Sequence, residues 1–375
     1  MRDSFLGPVH PGSPASLPAD EIARARRFFA GRTDLLPTPL RQLPDVASEI
    51  GIGELYLKDE SNRFGLPAFK AVGVTYAIHR LFEEGGLRAG GGVACATAGN
   101  HGRAVARIAR EHGLRATVYV PAGTVRPRID AIASEGANVI VHDRGYEDAV
   151  ATMADESRRK GWTIVSDTSY PESEGDPVPT WIMSGYTRIF DEAAAQGDAP
   201  PDVLFVQAGV GGLLAAAAAW TSQAPTSKPQ TPSPEPQAPG PSVVSCEPAN
   251  AACVLAAARA GRPCAIDGPL DTVMAGLRCA EASHAAWPVV AARVRAFVTA
   301  SDEETFDAMR RARHDGVVSG PSGACGLACL RAVMLDADLA AVRDHLGLGR
   351  HSRVLVVNTE GNTDPSVYNR VIGSS

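Results

Sequence analysis

The feature that most constrains this chain is an alternation. Short apolar runs, each the length of one strand, take turns with longer segments that are apolar at helical spacing. The first series runs strand 54–58, a helix from Lys70 through Val74, Ile78 and Leu81, strand 93–96, helix 102–112, strand 115–120, helix 126–135, strand 137–141, helix 146–160 and strand 162–166. The second runs helix 179–195, strand 202–207, helix 213–221, strand 242–246, helix 250–260 and finally strand 353–358. Runs such as Ala116-Thr-Val-Tyr-Val120 are nearly continuous in apolar residues, as a strand covered on both faces must be. A strand followed each time by a helix calls for crossover connections and parallel pairing. The expected fold class is therefore α/β, two domains with twisted, mostly parallel sheets flanked by helices.

At 375 residues the chain is too long for one core. The expected division is residues 1–71 with 172–375 as a larger domain and residues 72–171 as a smaller α/β domain. Upstream of the alternation come a Pro-rich lead, a helix with Asp20 as N-cap running to about Ala30, a turn-rich stretch and a helix near 45–50. Residues 223–241, QAPTSKPQTPSPEPQAPGP, lack the apolar side chains to pack and are expected to form a mobile surface excursion within the larger domain. A polyproline docking element is the alternative there.

Bulk composition excludes several roles. Apolar residues make up 45% and charged residues 21% of the chain, an ordinary globular balance. A formal charge of -6 offers no attraction to nucleic acid or to an anionic membrane. No apolar run is long enough to span a bilayer, and the N-terminal MRDSFLGPVHPGSP lacks the basic start and apolar run of a signal peptide. Seven cysteines with no CxxC pair and no Cys/His cluster point to a reducing cytoplasm, with no metal site expected. Arginine is abundant, yet lysine occurs only at Lys58, Lys70, Lys160 and Lys228. A codon bias toward arginine accounts for that, and lysine then persists best where an amine must lose its proton and attack a carbonyl, which a guanidinium cannot do.

Four segments occupy the positions where an α/β sheet places its site, beyond the carboxyl ends of strands. They are Lys58–Lys70, Cys95–Gly102, Gln207–Leu213 and Asn358–Asp364. Gly209-Val-Gly211-Gly212 precedes a helix, and a glycine turn there is either a phosphate cradle or a plain tight turn. It has neither the Walker nor the dinucleotide spacing. Ala98-Gly-Asn-His-Gly102 is a second helix start, suited to the carboxylate of a small substrate.

Taken in order, KDES-x-RFGL-x-AFK, GNHGR, DTSY followed by PTWIM-x-GY, QAGVG, MAGL-x-C and TEG-x-TDP resemble the fold-type II pyridoxal phosphate enzymes, the tryptophan synthase β-like superfamily. Within it, the chain is most similar to the diaminopropionate ammonia-lyase family. The resemblance implies a pyridoxal 5'-phosphate cofactor held by Lys70 as a Schiff base, with Phe69 packed on its ring. It further implies Asn100 at the phenolic oxygen, Gly209, Val210, Gly211, Gly212 and Leu213 around the phosphate, and the Thr359 hydroxyl at the pyridine nitrogen. A neutral hydroxyl there favours prompt β-elimination over a long-lived carbanion. The implied reaction is α,β-elimination on a small L-amino acid, L-2,3-diaminopropionate giving pyruvate and two ammonia. Lys70, its pKa lowered by burial, acts as the Cα base, Asp167 binds the β-amino group, and Thr97, Ala98, Gly99 and His101 meet the substrate. A cytoplasmic homodimer is the family's habit.

Two departures matter. The family's aspartate before GNHG, assigned as the base for the D-enantiomer, is Ala98 here, so activity is expected on the L-isomer and little on the D-isomer. A Gly and a Pro are also lost after MAGL-x-C, which keeps open a serine/threonine dehydratase or a β-replacement synthase, and behind them a catalytically silent ligand-binding relative. Lys58 is expected to pair with Asp59 or Glu60, His101 to be a helix-start residue more than a general base, and Trp181 and Met183 to face the core. Cys253 and Cys279 are expected to be buried thiols, a loop-bracing disulfide being the alternative.

Overall fold

The computed structural model describes residues 3–97, 99–169, 173, 175–223 and 240–373. Its strands are β1 (Ser4–Leu6), β2 (Leu40–Gln42), β3 (Glu54–Asp59), β4 (Gly92–Ala96), β5 (Arg115–Val120), β6 (Asn138–Val141), β7 (Thr163–Ile164), β8 (Val203–Gln207), β9 (Ser242–Pro248), β10 (Ala296–Ala300) and β11 (Arg353–Asn358). They build a seven-stranded sheet in the order β1-β10-β9-β8-β11-β3-β2 and a four-stranded sheet in the order β6-β5-β4-β7. Both sheets are parallel inside, and only the short edge strands β1 and β2 of the larger one run antiparallel. The α/β expectation holds, with one core on each face of the larger sheet.

Several boundaries differ from the sequence reading. Helix Ala19–Ala30 is preceded by Pro18, so Asp20 sits in its first turn and caps nothing. There its charge faces the positive end of the helix dipole. Strand 162–166 shrinks to Thr163–Ile164, which meets β4 at the edge of the smaller sheet through Val93 and Ala94 only. Helix 102–112 begins at Asn100, two residues early, placing the Asn-His pair inside the first turn. Between Ala260 and Arg353 the periodicity assigned nothing, yet β10 and helices Asp302–His314 and Pro321–Leu335 lie there. Ser301 and Glu304 close a capping box on the first of these helices, a signal readable in the sequence. Of the Pro-rich segment 223–241, residues 224–239 lie outside the described residues.

Lys58 does not pair with Asp59 or Glu60. Its fully buried ammonium contacts Glu192 at 2.9 Å and the Thr38 carbonyl at 2.6 Å. Successive strand residues face opposite sides, and Asp59 accordingly binds Arg41 at 2.9 Å while Glu60 takes the buried Arg63 guanidinium at 2.5 Å. Arg63 also reaches Glu192 at 2.8 Å, so two cations and two carboxylates are neutralised together under the loop that leads to Lys70.

Helix Lys70–Glu83 crosses helix Val178–Gln196 at two glycines. A Cβ on Gly73 would lie 2.5 Å from the Tyr186 ring and 2.8 Å from the Ile182 carbonyl, and one on Gly185 would lie 3.0 Å from the Gly73 Cα. Any larger residue would push the helices apart. The crossing sets Lys70 against Tyr186 and buries Trp181 and Met183, as expected of them.

Candidate active site

Lys70 is the first residue of its helix, entered by a loop whose backbone is over-determined. Phe64 and Gly65 adopt φ of 54° and 76°, a left-handed pair that only Gly accepts without strain. The Phe64 ring lies under the Arg63 guanidinium, 5.3 Å from its centroid, which holds the turn. Beyond it, Ala68 bridges to Glu360, and the Phe69 N–H donates to the Thr359 carbonyl at 3.1 Å. Lys70 and Thr359, 289 positions apart in sequence numbering, are thus fixed to one another through a backbone bond. The Phe69 ring packs against Tyr186 with centroids 4.8 Å apart, and the Lys70 Nζ lies 5.0 Å from the Phe69 ring centre.

The Lys70 ammonium donates to Asp167 Oδ2 at 2.5 Å, their side chains 22% and 17% exposed. Asp167 follows β7 by three residues, so the carboxylate comes from the end of the smaller sheet and the amine from the first turn of helix Lys70–Glu83. Burial pulls the Lys70 pKa down, but Asp167 outweighs it and the net shift is upward. This corrects the expectation of a lowered pKa, which weighed burial without a carboxylate at bonding distance. Burial likewise opposes ionisation of Asp167, while His101 and Lys70 hold it below the usual carboxylate range. His101 lies with Nε2 2.8 Å from the Val165 carbonyl, so that nitrogen carries the hydrogen. Its Nδ1 faces Asp167 Oδ2 at 3.6 Å, and burial lowers its pKa, favouring the neutral ring.

The glycine turn lies directly beside this pair. Gly211 takes a φ of 96°, and helix Gly212–Thr221 starts at once, so its first N–H groups have no intrahelical acceptor. A Cβ on Gly209 would meet the Cys279 Sγ at 3.0 Å, and one on Gly212 would stand 3.7 Å from the Asp167 carbonyl. Cys253 and Cys279 are both free thiols, Cys253 donating to the Gly209 carbonyl at 3.3 Å. Burial pushes the Cys279 thiol up to about 12. Gln207, just ahead of the turn, donates to the Val357 carbonyl at 2.6 Å and approaches the buried Thr359 hydroxyl at 3.5 Å. On the other side, the Gly99 N–H donates to Thr97 Oγ1 at 3.2 Å, and Asn100 Nδ2 donates to Glu360 Oε2 at 2.6 Å. Ala98 lies outside the described residues.

The structure therefore brings Lys70, Phe69, Asp167, His101, Asn100, Thr359 and the glycine turn into one connected cluster. Glu360 and Tyr186 join them without having been singled out from the sequence, although each lies in a quoted motif, TEG and PTWIM-x-GY; Cys279, named from the sequence only as a thiol, joins them too. Position in a motif was the available signal. An amine at a cleft, a glycine cradle at an uncapped helix start and a buried hydroxyl at a strand end suit the carbonyl, phosphate and ring nitrogen of pyridoxal phosphate.

Comparison with known proteins agrees. The family model described as pyridoxal-phosphate dependent enzyme matches residues 32–360. Diaminopropionate ammonia-lyase of Escherichia coli K12 is 34% identical, with 93% of this chain and 90% of that protein covered. The crystal structure of the Escherichia coli enzyme in complex with an aminoacrylate-PLP azomethine reaction intermediate superposes with a TM-score of 0.85 at 31% identity, covering 100% of this chain and 97% of that one. The biosynthetic L-threonine dehydratase of Mycobacterium tuberculosis H37Rv is 28% identical over 96% of this chain and 75% of its own length. By sequence and by fold, the chain belongs to the pyridoxal-phosphate dependent enzymes.

Proposed function

We propose that this enzyme carries out α,β-elimination on L-2,3-diaminopropionate, which with one water gives pyruvate and two ammonia. The observation that carries the reading is the 2.5 Å contact between Asp167 and a primary ammonium. With Lys70 engaged by the cofactor, Asp167 is left without its cation. The β-ammonium of diaminopropionate restores one. The hydroxyl of serine or threonine does not, and forgoes a charge-assisted bond worth about 1.5–3 kcal/mol.

Pyridoxal phosphate, when bound, withdraws electrons from the Cα of the amino acid it holds and so acidifies the Cα–H bond. Lys70, Phe69, Asn100, the Gly209–Leu213 turn and Thr359 would hold it. Once released as the neutral amine, Lys70 takes the Cα proton while Asp167 faces the β-ammonium. Asp167 keeps the β-amine protonated until the C–N bond breaks, so the bonding pair leaves with nitrogen as neutral ammonia. The start of helix Asn100–Glu111, with Thr97 and Gly99 before it and His101 in its first turn, receives the substrate carboxylate. 2-Aminoacrylate then loses its remaining nitrogen by hydrolysis.

Ala98 stands where the family resemblance implies an aspartate base for the D-enantiomer, so we assign the L-isomer. The domain division at 72–171 belongs to the same proposal, supported by the two separate sheets. A cytoplasmic homodimer rests on composition and family resemblance, and no described helix is long and apolar enough to cross a membrane. The test is pyruvate and ammonia release from L- and D-diaminopropionate, L-serine, L-threonine and O-phosphoserine side by side. A two-to-one ratio of ammonia to pyruvate from the L-diamine is expected. Faster turnover of L-serine or L-threonine would favour the dehydratase reading and overturn this one.

A further inference from the structure

Glu360 has no part in the steps above, yet it occupies the junction of the site. Its side chain is buried at the carboxyl end of β11. Oε1 accepts from the Ser322 N–H at 3.1 Å, in the first turn of helix Pro321–Leu335. Oε2 accepts from Asn100 Nδ2 at 2.6 Å and from Thr363 Oγ1 at 3.1 Å. Its own backbone bridges Ala68, two residues before Lys70. A Cβ at Gly320 would come within 3.0 Å of Oε1, so the carboxylate is boxed in. One residue therefore joins the Lys70 segment through its backbone and the first residue of helix Asn100–Glu111 through its carboxylate, from the end of a strand of the larger sheet.

An ionised carboxylate can only accept. The atom that Asn100 turns toward Glu360 must then be its amide nitrogen, and the bond sets an orientation that the asparagine torsion leaves free. We propose that Glu360 is a positioning residue for the cofactor: it fixes the Asn100 amide so that the second N–H is the group offered to the phenolic oxygen. This rests on the reading of Asn100 as a cofactor ligand.

A glutamine at 360 separates orientation from packing. Its single carbonyl can serve Ser322 or Asn100 but not both, and with the carbonyl on Ser322 its NH2 faces Asn100 and turns that amide over. The measurements are the visible absorption of the bound cofactor and its dissociation constant in the holoenzyme, for N100A, E360A, E360Q and the double variant N100A/E360A. N100A is expected to shift the spectrum and weaken cofactor binding by about tenfold. E360Q and E360A should reproduce that shift, and the double variant should go no further than N100A alone. Should E360A fail to fold, E360Q carries the comparison. A wild-type spectrum and affinity in E360Q alongside a shifted N100A would overturn the role of Glu360, as would additive effects in the double variant. An unshifted N100A would overturn the reading of Asn100 itself, and this inference with it.

Discussion

Asp167→Asn should move two observables in opposite directions. The carboxylate lies 2.5 Å from the Lys70 ammonium, with both side chains less than a quarter exposed at 17% and 22%. A charge-assisted bond of that kind is worth about 1.5–3 kcal/mol net. At about 1.4 kcal/mol per tenfold, its loss lowers the proton affinity of Lys70 by roughly ten- to a hundredfold. The shift in the native protein is upward, so near neutral pH Lys70 is almost wholly ammonium, and the small neutral fraction rises by the same factor in the variant. Only the neutral amine attacks an aldehyde. Capture of pyridoxal phosphate by the cofactor-free variant, followed by borohydride trapping, should therefore be about ten- to a hundredfold faster. Turnover of L-diaminopropionate should fall by at least that factor, since the β-ammonium loses its charged partner. Capture that slows together with turnover would refute the reasoning and reduce Asp167 to a packing residue.

Other expectations follow from the same geometry. Glu192→Gln leaves Lys58 and Arg63 buried with one carboxylate fewer, and urea denaturation should show a loss of about 3–5 kcal/mol. Burial opposes ionisation of Glu192, but Arg63 and Lys58 hold its pKa down at about 2. Its contribution is thus complete above the ordinary glutamate value of 4.5 and lost as pH falls toward 2, and the variant should flatten that acid limb of the stability profile. Gly73→Ala meets the Ile182 carbonyl at 2.8 Å, backbone that cannot swing aside; a cost of about 1–3 kcal/mol in thermal melts and slower cofactor capture are expected. D-diaminopropionate should turn over about a hundredfold or more slower than the L-isomer, and Ala98→Asp should narrow that gap. Equal rates on both isomers in the unmodified enzyme would refute the single-base reading.

What was legible in the sequence is what local chemistry dictates. Apolar runs at strand length alternating with helical periodicity require crossovers, and crossovers place the carboxyl ends of β3, β8 and β11 along one edge of the larger sheet. Lysine scarcity draws attention to an amine, and the glycine turn before a helix to either an anion cradle or a tight turn, without any knowledge of contacts. Charge pairing was not legible. Lys58 has two acidic neighbours in the chain, but the pleat turns Asp59 away and its partner is Glu192 on a distant helix. Lys70 remains the residue singled out from composition, yet the direction of its pKa was decided by Asp167, brought from the other sheet to 2.5 Å. Burial and a facing carboxylate shift an amine in opposite senses. Which of the two wins depends on a distance, and only the tertiary structure supplies it.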